Sequence, residues 1–174
     1  MRQIILDTET TGLEPELGHR IIEIGCIEVV SRRRTGRVFQ RYLCPDREID
    51  PGALQVHGLT AEFLRGQPRF ADIAAEWLEF VRGAELVIHN APFDIAFLDA
   101  ELARLAEPPG RVSDLCQVLD TLVLARQMLK TAGDTLARME ATMDLTESLY
   151  KNGSGRVKKT DWLRNKSMVE TIRT

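Results

Sequence analysis

The stretch Ile4-Ile5-Leu6-Asp7-Thr8-Glu9-Thr10-Thr11 decides how this chain is read. Three apolar residues in a row suit a buried strand, and that strand ends in two carboxylates. Side chains at i and i+2 of a strand leave from the same face. Asp7 and Glu9 are therefore expected to project together from a rigid edge. Like charges held that close are costly unless a cation lies between them. A strand running into a polar turn would look the same, so a second feature has to decide.

That feature is Glu85-Leu86-Val87-Ile88-His89-Asn90-Ala91-Pro92-Phe93-Asp94. An apolar strand stops at His89-Asn90, and Pro92 suits the first turn of a helix. Ile95, Leu98, Leu102 and Leu105 then repeat at helical spacing, which predicts a core-facing stripe. Asp94 falls just inside the helix, beside the strand edge. Alone it is a helix-start carboxylate favoured by the dipole. Paired with Asp7 and Glu9 it becomes a third metal-site carboxylate.

Asp7-Thr8-Glu9-Thr10-Thr11-Gly12, Val56-His57-Gly58-Leu59-Thr60 and His89 to Asp94 occur in the order and spacing of a known family. In these motifs the chain resembles the DnaQ-like 3′–5′ exonucleases. Within that group it looks most like the proofreading (epsilon) subunits of bacterial DNA polymerase III. His19-Arg20-Ile21-Ile22-Glu23-Ile24-Gly25 and Asp120-Thr121-Leu122 fit the same pattern. The resemblance covers roughly residues 1 to 129.

The resemblance implies a ribonuclease H-like α/β fold, a mixed sheet flanked by helices. It implies that Asp7, Glu9 and Asp94 are catalytic and supply three of four metal-binding carboxylates. Two divalent cations, Mg2+ or Mn2+, would sit about 4 Å apart and clamp the scissile phosphate. Hard oxygen ligands suit such ions, and the chain offers no competing Cys/His cluster. His57 would meet the terminal nucleotide, and Gly52, in the turn Asp50-Pro51-Gly52, would lie where that loop approaches substrate. Thr8 would offer its backbone amide to the 3′ end, with Asn90 nearby and Asp120 either structural or bracing the site from behind. His57 also reads simply as a turn histidine before Gly58. The implied partners are a single-stranded DNA 3′ end and, for a true epsilon subunit, the polymerase III catalytic subunit.

The family's last motif is not in the sequence. It consists of a histidine that acts as general base and, five positions later, an aspartate. The three histidines, His19, His57 and His89, all lie upstream of where it should fall. A related branch places a tyrosine four positions before its aspartate, but Tyr150 is followed at that spacing by Ser154. Asp134, Asp144 and Asp161 lack a suitably placed partner. The general base and the fourth carboxylate are thus unassigned.

The text also changes character after residue 129. Residues 1–150 carry 16 basic and 24 acidic side chains, a net of −8; residues 151–174 carry seven and two, a net of +5; together they give −3. Four of the five lysines lie in those last 24 residues, and Asn152-Gly153-Ser154-Gly155 reads as a turn or linker. Leu136 to Leu149 can be written as a helix with a thin apolar face. Residues 130–174 are therefore a distinct basic segment with three open explanations. They are a frame-shifted or chimeric end, a divergent end that has traded catalysis for binding, or a basic arm for nucleic acid. The plainest view of such a charge run is a solvated, partly disordered end.

Composition suits a single domain long enough to bury a core, with no secretory leader and no stretch of membrane-spanning length. Cys26, Cys44 and Cys116 are odd in number and widely spaced, which points to reduced thiols and a cytoplasmic setting. Strands are expected near 2–6, 21–30, 37–43 and 85–89, with a hairpin turn at Arg33-Arg34-Thr35-Gly36. Helices are expected near 60–65, 70–82, 92–106 and from Thr121. The helix at 70–82 is expected to bury Ala71, Ala74, Ala75, Leu78 and Val81, with Trp77 beside them. The expectation is a metal-dependent 3′–5′ exonuclease acting on DNA, impaired by the missing motif. An RNA-trimming enzyme of the same fold and a non-catalytic nucleic-acid-binding remnant stand as alternatives.

Overall fold

The computed structural model describes residues 1–131. Five strands form one mixed sheet: β1 (Arg2–Thr10), β2 (Ile21–Val30), β3 (Arg33–Tyr42), β4 (Glu85–Ile88) and β5 (Gln117–Asp120), in the order β3-β2-β1-β4-β5. β1, β2 and β3 run antiparallel, whereas β4 and β5 join parallel on the other side of β1. The connections carry helices α1 (Pro51–His57), α2 (Ala61–Leu64), α3 (Phe70–Val81), α4 (Ala91–Leu102) and α5 (Val112–Leu115), and α6 (Thr121–Thr131) follows β5. This is the α/β architecture expected of the ribonuclease H-like resemblance.

Strand β1 alternates strictly. Ile4, Leu6, Thr8 and Thr10 are buried on one face, while Ile5, Asp7 and Glu9 lie on the other. On the buried face Ile4, Leu6, Ile24, Cys26, Phe39, Leu86 and Ile88 pack against α3 and α4 residues Phe70, Ile73, Trp77, Phe97, Leu98 and Leu102. The α4 stripe reads as expected, with Leu98 and Leu102 fully buried and Ile95 and Leu105 packed at the margin. The α3 stripe is rotated from expectation. Ala71 and Ala75 are exposed, and Trp77 is central, with 1 % of its surface exposed. The larger side chains take the core side because they remove more apolar area from water.

Three other expectations change. The β2–β3 hairpin turns at Ser31 and Arg32, both at positive φ (51° and 65°), so β3 begins at Arg33. Gly36, at φ 88°, instead lies in an irregularity of β3, where register shifts opposite Glu28. Strand β1 continues through Thr10 rather than stopping at Leu6, because β2 pairs with it that far. Residues 51–57, where only the turn Asp50-Pro51-Gly52 is expected from the sequence, form a short helix that opens on Pro51 and closes on left-handed Gly58.

The chain divides into two compact units, Met1–Leu124 and Ala125–Thr174. The first holds the sheet and all the candidate site residues. Of the second, only its start in α6 falls within the described residues. The expected helix at 136–149, the 152–155 linker, all of the basic segment 130–174 beyond Thr131, and Asp134, Asp144, Tyr150 and Asp161 lie outside them. Among the described residues, no helix is long and apolar enough to cross a membrane. The three cysteines are free thiols; burial pushes that of Cys26 up to about 12, which makes it inert at neutral pH.

Candidate active site

The central strand outruns its parallel neighbour. Pairing of β1 with β4 covers Gln3 to Ile5, and β4 ends at Ile88 before turning into α4. The amide of Thr8 therefore faces no strand there. Asp94, in the first turn of α4, takes its place: Thr8 N–H donates to Asp94 Oδ1 at 3.0 Å and the Thr8 hydroxyl donates to the same oxygen at 2.7 Å. Asp94 is 3 % exposed and Thr8 7 %. A buried carboxylate needs such donors to remain charged. Asp94 is thereby pinned to the residue that separates Asp7 from Glu9.

Asp7 is exposed and Glu9 half-buried, on the sheet face opposite the main core. Asp94 is joined to β1 through Thr8. The described residues do not, however, gather three or more His, Cys, Asp or Glu side chains closely enough to hold a metal. The donors that Asp7, Glu9 and Asp94 offer are hard oxygens, which match magnesium or manganese rather than a soft-metal site. Thr8, expected to present its amide to substrate, gives it to Asp94 instead.

A brace behind this corner comes from Asp120, at the end of β5. Its Oδ1 accepts the N–H groups of Asn90 (3.1 Å), Leu122 (2.8 Å) and Val123 (3.4 Å), and its Oδ2 that of Ala91 (3.2 Å). One carboxylate thus caps the starts of both α4 and α6. Asn90 sits in the left-handed region (φ 58°, ψ 51°), which an asparagine tolerates and which turns the chain sharply from β4 into α4. His89 Nδ1 lies 3.1 Å from Thr121 Oγ1 and ties the same two elements together.

Gly52 and His57 occupy opposite ends of α1, and the helix buries none of its residues. His57 Nδ1 accepts the Leu59 N–H at 2.9 Å, which leaves the proton on Nε2. The space around Gly52 is open, so no neighbour demands a glycine there. Two residues escaped the sequence reading. Glu23 on β2 lies directly opposite Glu9, is 6 % exposed, and accepts a hydrogen bond from Gln40 at 2.6 Å. His19 lies buried between the end of β1 and the start of α1. Both lie in the segment 19–25 that fits the family pattern, which gave neither of them a role; strand register would have revealed the first.

Comparison with known proteins settles the family. The RNase T exonuclease model matches residues 4–149. The chain belongs to the exonuclease family. It is 47 % identical over 151 residues to the DNA polymerase III subunit epsilon of Escherichia coli (strain K12), covering 84 % of this chain and 62 % of that protein. It is 50 % identical over 128 residues to the subunit epsilon of Rickettsia felis, covering 74 % of this chain and 56 % of the relative. The chain thus spans about three-fifths of the length of these curated relatives. Among solved structures, exonuclease X in complex with 5′-overhanging duplex DNA aligns with a TM-score of 0.57 and 26 % identity, covering 82 % of this chain and 73 % of that one. An exonuclease I structure with SSB aligns with a TM-score of 0.63 over 72 % of this chain and 29 % of that one; its 23 % identity speaks for the fold alone. The family match continues beyond Lys130, past the last motif legible in the sequence.

Proposed function

We propose that this chain is a 3′–5′ exonuclease domain that removes nucleoside monophosphates from DNA ends, in the manner of a replicative proofreading subunit. The observation that carries the reading is the Thr8–Asp94 latch, which ties a buried carboxylate of α4 to the strand residue that separates Asp7 from Glu9. Asp7, Glu9 and Asp94 would hold the cations, Mg2+ or Mn2+. When bound, such ions supply a hydroxide-like nucleophile and charge neutralisation for the leaving oxygen. Thr8 of β1 donates to Asp94 through both its amide and its hydroxyl, which fixes that carboxylate beside the strand. His57 and Gly52, at the two ends of α1, would meet the terminal nucleotide, with Asn90 as nearby support. The names of the relatives support a polymerase III partner; a single-stranded 3′ end as substrate and a cytoplasmic setting belong to the same proposed reading.

Without the family's terminal histidine and aspartate, turnover should be weak. Loss of a general base costs about 10²- to 10⁴-fold. The test is nucleoside monophosphate release from 3′-labelled single-stranded DNA, with magnesium or manganese, beside an Asp7→Ala/Glu9→Ala control. Slow release, faster with manganese and abolished in the control, supports the reading. Equal or faster cleavage of RNA would instead favour an RNA-trimming enzyme. Metal-dependent binding with no release at all would favour the non-catalytic remnant.

A further inference from the structure

His19 is 7 % exposed and belongs to neither the carboxylate set nor the substrate-facing helix, yet it touches the residue just beyond β1 and the residue from which α1 starts. Its Nδ1 lies 3.0 Å from Thr11 Oγ1, immediately beyond β1. That hydroxyl already accepts the Arg20 N–H at 3.0 Å, so its own proton is available to His19 Nδ1. The imidazole then carries its proton on Nε2, which faces Asp50 Oδ2 at 3.5 Å. Asp50 is the residue from which α1 starts, and its N–H donates to the Thr11 carbonyl at 2.9 Å. The ring also occupies the space over Gly12, where an added Cβ would fall 2.2 Å from Cε1. The neighbouring Arg20 makes a bidentate pair with buried Glu101 of α4 at 2.6 and 2.7 Å. Residues 19 and 20 thus join the end of β1, the start of α1 and the body of α4.

The geometry points to His19 as a positioning residue. Through Thr11 and Asp50 it sets helix α1, with Gly52 and His57, at a fixed distance from the carboxylate-bearing end of β1. The inference rests on the assignment of α1 to the terminal nucleotide. Helix α1 buries none of its own residues and so has little packing to hold it in place. The Thr11–His19–Asp50 chain supplies what packing does not.

The test uses the full chain and a 5′-labelled single-stranded oligodeoxynucleotide, either with a free 3′-hydroxyl or blocked by a 3′-phosphate. Calcium replaces the catalytic ions, so that binding alone is read. The native chain should prefer the free end; absence of any preference overturns the substrate assignment and leaves this inference without a basis. Given that preference, His19→Ala should reduce it about tenfold, the share of one polar contact to a charged partner, with affinity for the blocked strand unchanged. His19→Gln, which can still reach Asp50, should restore much of it. Asp50→Ala should reproduce the loss and add nothing to His19→Ala in the double variant. An undiminished preference in His19→Ala, or simple additivity of the two losses, would overturn the inference. Should His19→Ala fail to fold, Asp50→Ala against His19→Gln carries the same comparison on exposed and conservative changes.

Discussion

Thr8 is the residue on which the candidate site turns, although it carries no charge. Its amide and its hydroxyl both donate to Oδ1 of Asp94. Thr8→Val retains the shape and the amide contact but removes the hydroxyl. The expected result is a stability loss of about 1–2 kcal/mol, because a buried carboxylate loses a hydroxyl donor. Activity should fall further than stability suggests, about 10- to 100-fold, since a displaced ligand misplaces the reacting groups. Thr8→Ser should recover most of both. Denaturant unfolding alongside nucleotide release checks the pair, and equal rates for Thr8→Val and the native chain would show that Asp94 does not need the latch. The places of Asp7 and Glu9 on a strand and of Asp94 at a helix start were legible in the sequence because strand period and helix start are local patterns. Thr8's attachment was not, because its partner lies 86 positions away.

Asp120 does for two elements what Thr8 does for one side chain. Asp120→Ala would leave the N–H groups of Asn90, Ala91, Leu122 and Val123 without this acceptor, and the starts of α4 and α6 would lose their cap. A cost of about 1–2 kcal/mol follows, with the melting temperature lowered on the order of 5 °C. Asp120→Asn keeps Oδ1, which serves three of the four donors, and should cost less than half as much. Thermal melts of the two variants decide this, and equal destabilisation would show that charge rather than capping geometry matters. The elements themselves were legible to different degrees, for physical reasons. Strands β2 and β4 and helices α3 and α4 carry long or clean apolar patterns. Helix α1 has no buried face to produce a period, so only Pro51 and Gly58 announced it. Strand β5 is four residues long at the sheet edge, too short for alternation to show. The hairpin turn was misplaced because Gly36 suggests a turn, whereas it serves the β3 irregularity opposite Glu28.

At the scale of the whole first unit, the site end of the sheet is held by polar latches, and the opposite end is held by one buried acid. Glu28, 3 % exposed, accepts Arg2 Nε at 2.7 Å, Thr35 Oγ1 at 2.7 Å and Arg37 Nη1 at 2.8 Å. Arg2 in turn donates to the carbonyls of Phe80 and Arg82, so a single cluster joins β1, β2, β3 and the end of α3. Thr35 first, then Arg2 and Arg37, hold the Glu28 carboxyl below its ordinary value of 4.5 against the opposing effect of desolvation. A carboxyl lowered in the folded state binds fewer protons there than in the unfolded chain. Its contribution is therefore complete above pH 4.5 and is lost as pH falls through the lowered folded-state value. Glu28→Gln should destabilise the protein at neutral pH, where the native carboxylate is charged, and should flatten the acid limb of the stability profile. Binding of a 3′ end should be unchanged at neutral pH, because Glu28 pairs with Ile4 at the start of β1, away from Asp7 and Glu9. Denaturant midpoints measured from pH 3 to 7 on both proteins test this. Parallel acid limbs would assign the acid sensitivity to other carboxylates and reduce the Glu28 cluster to a packing role.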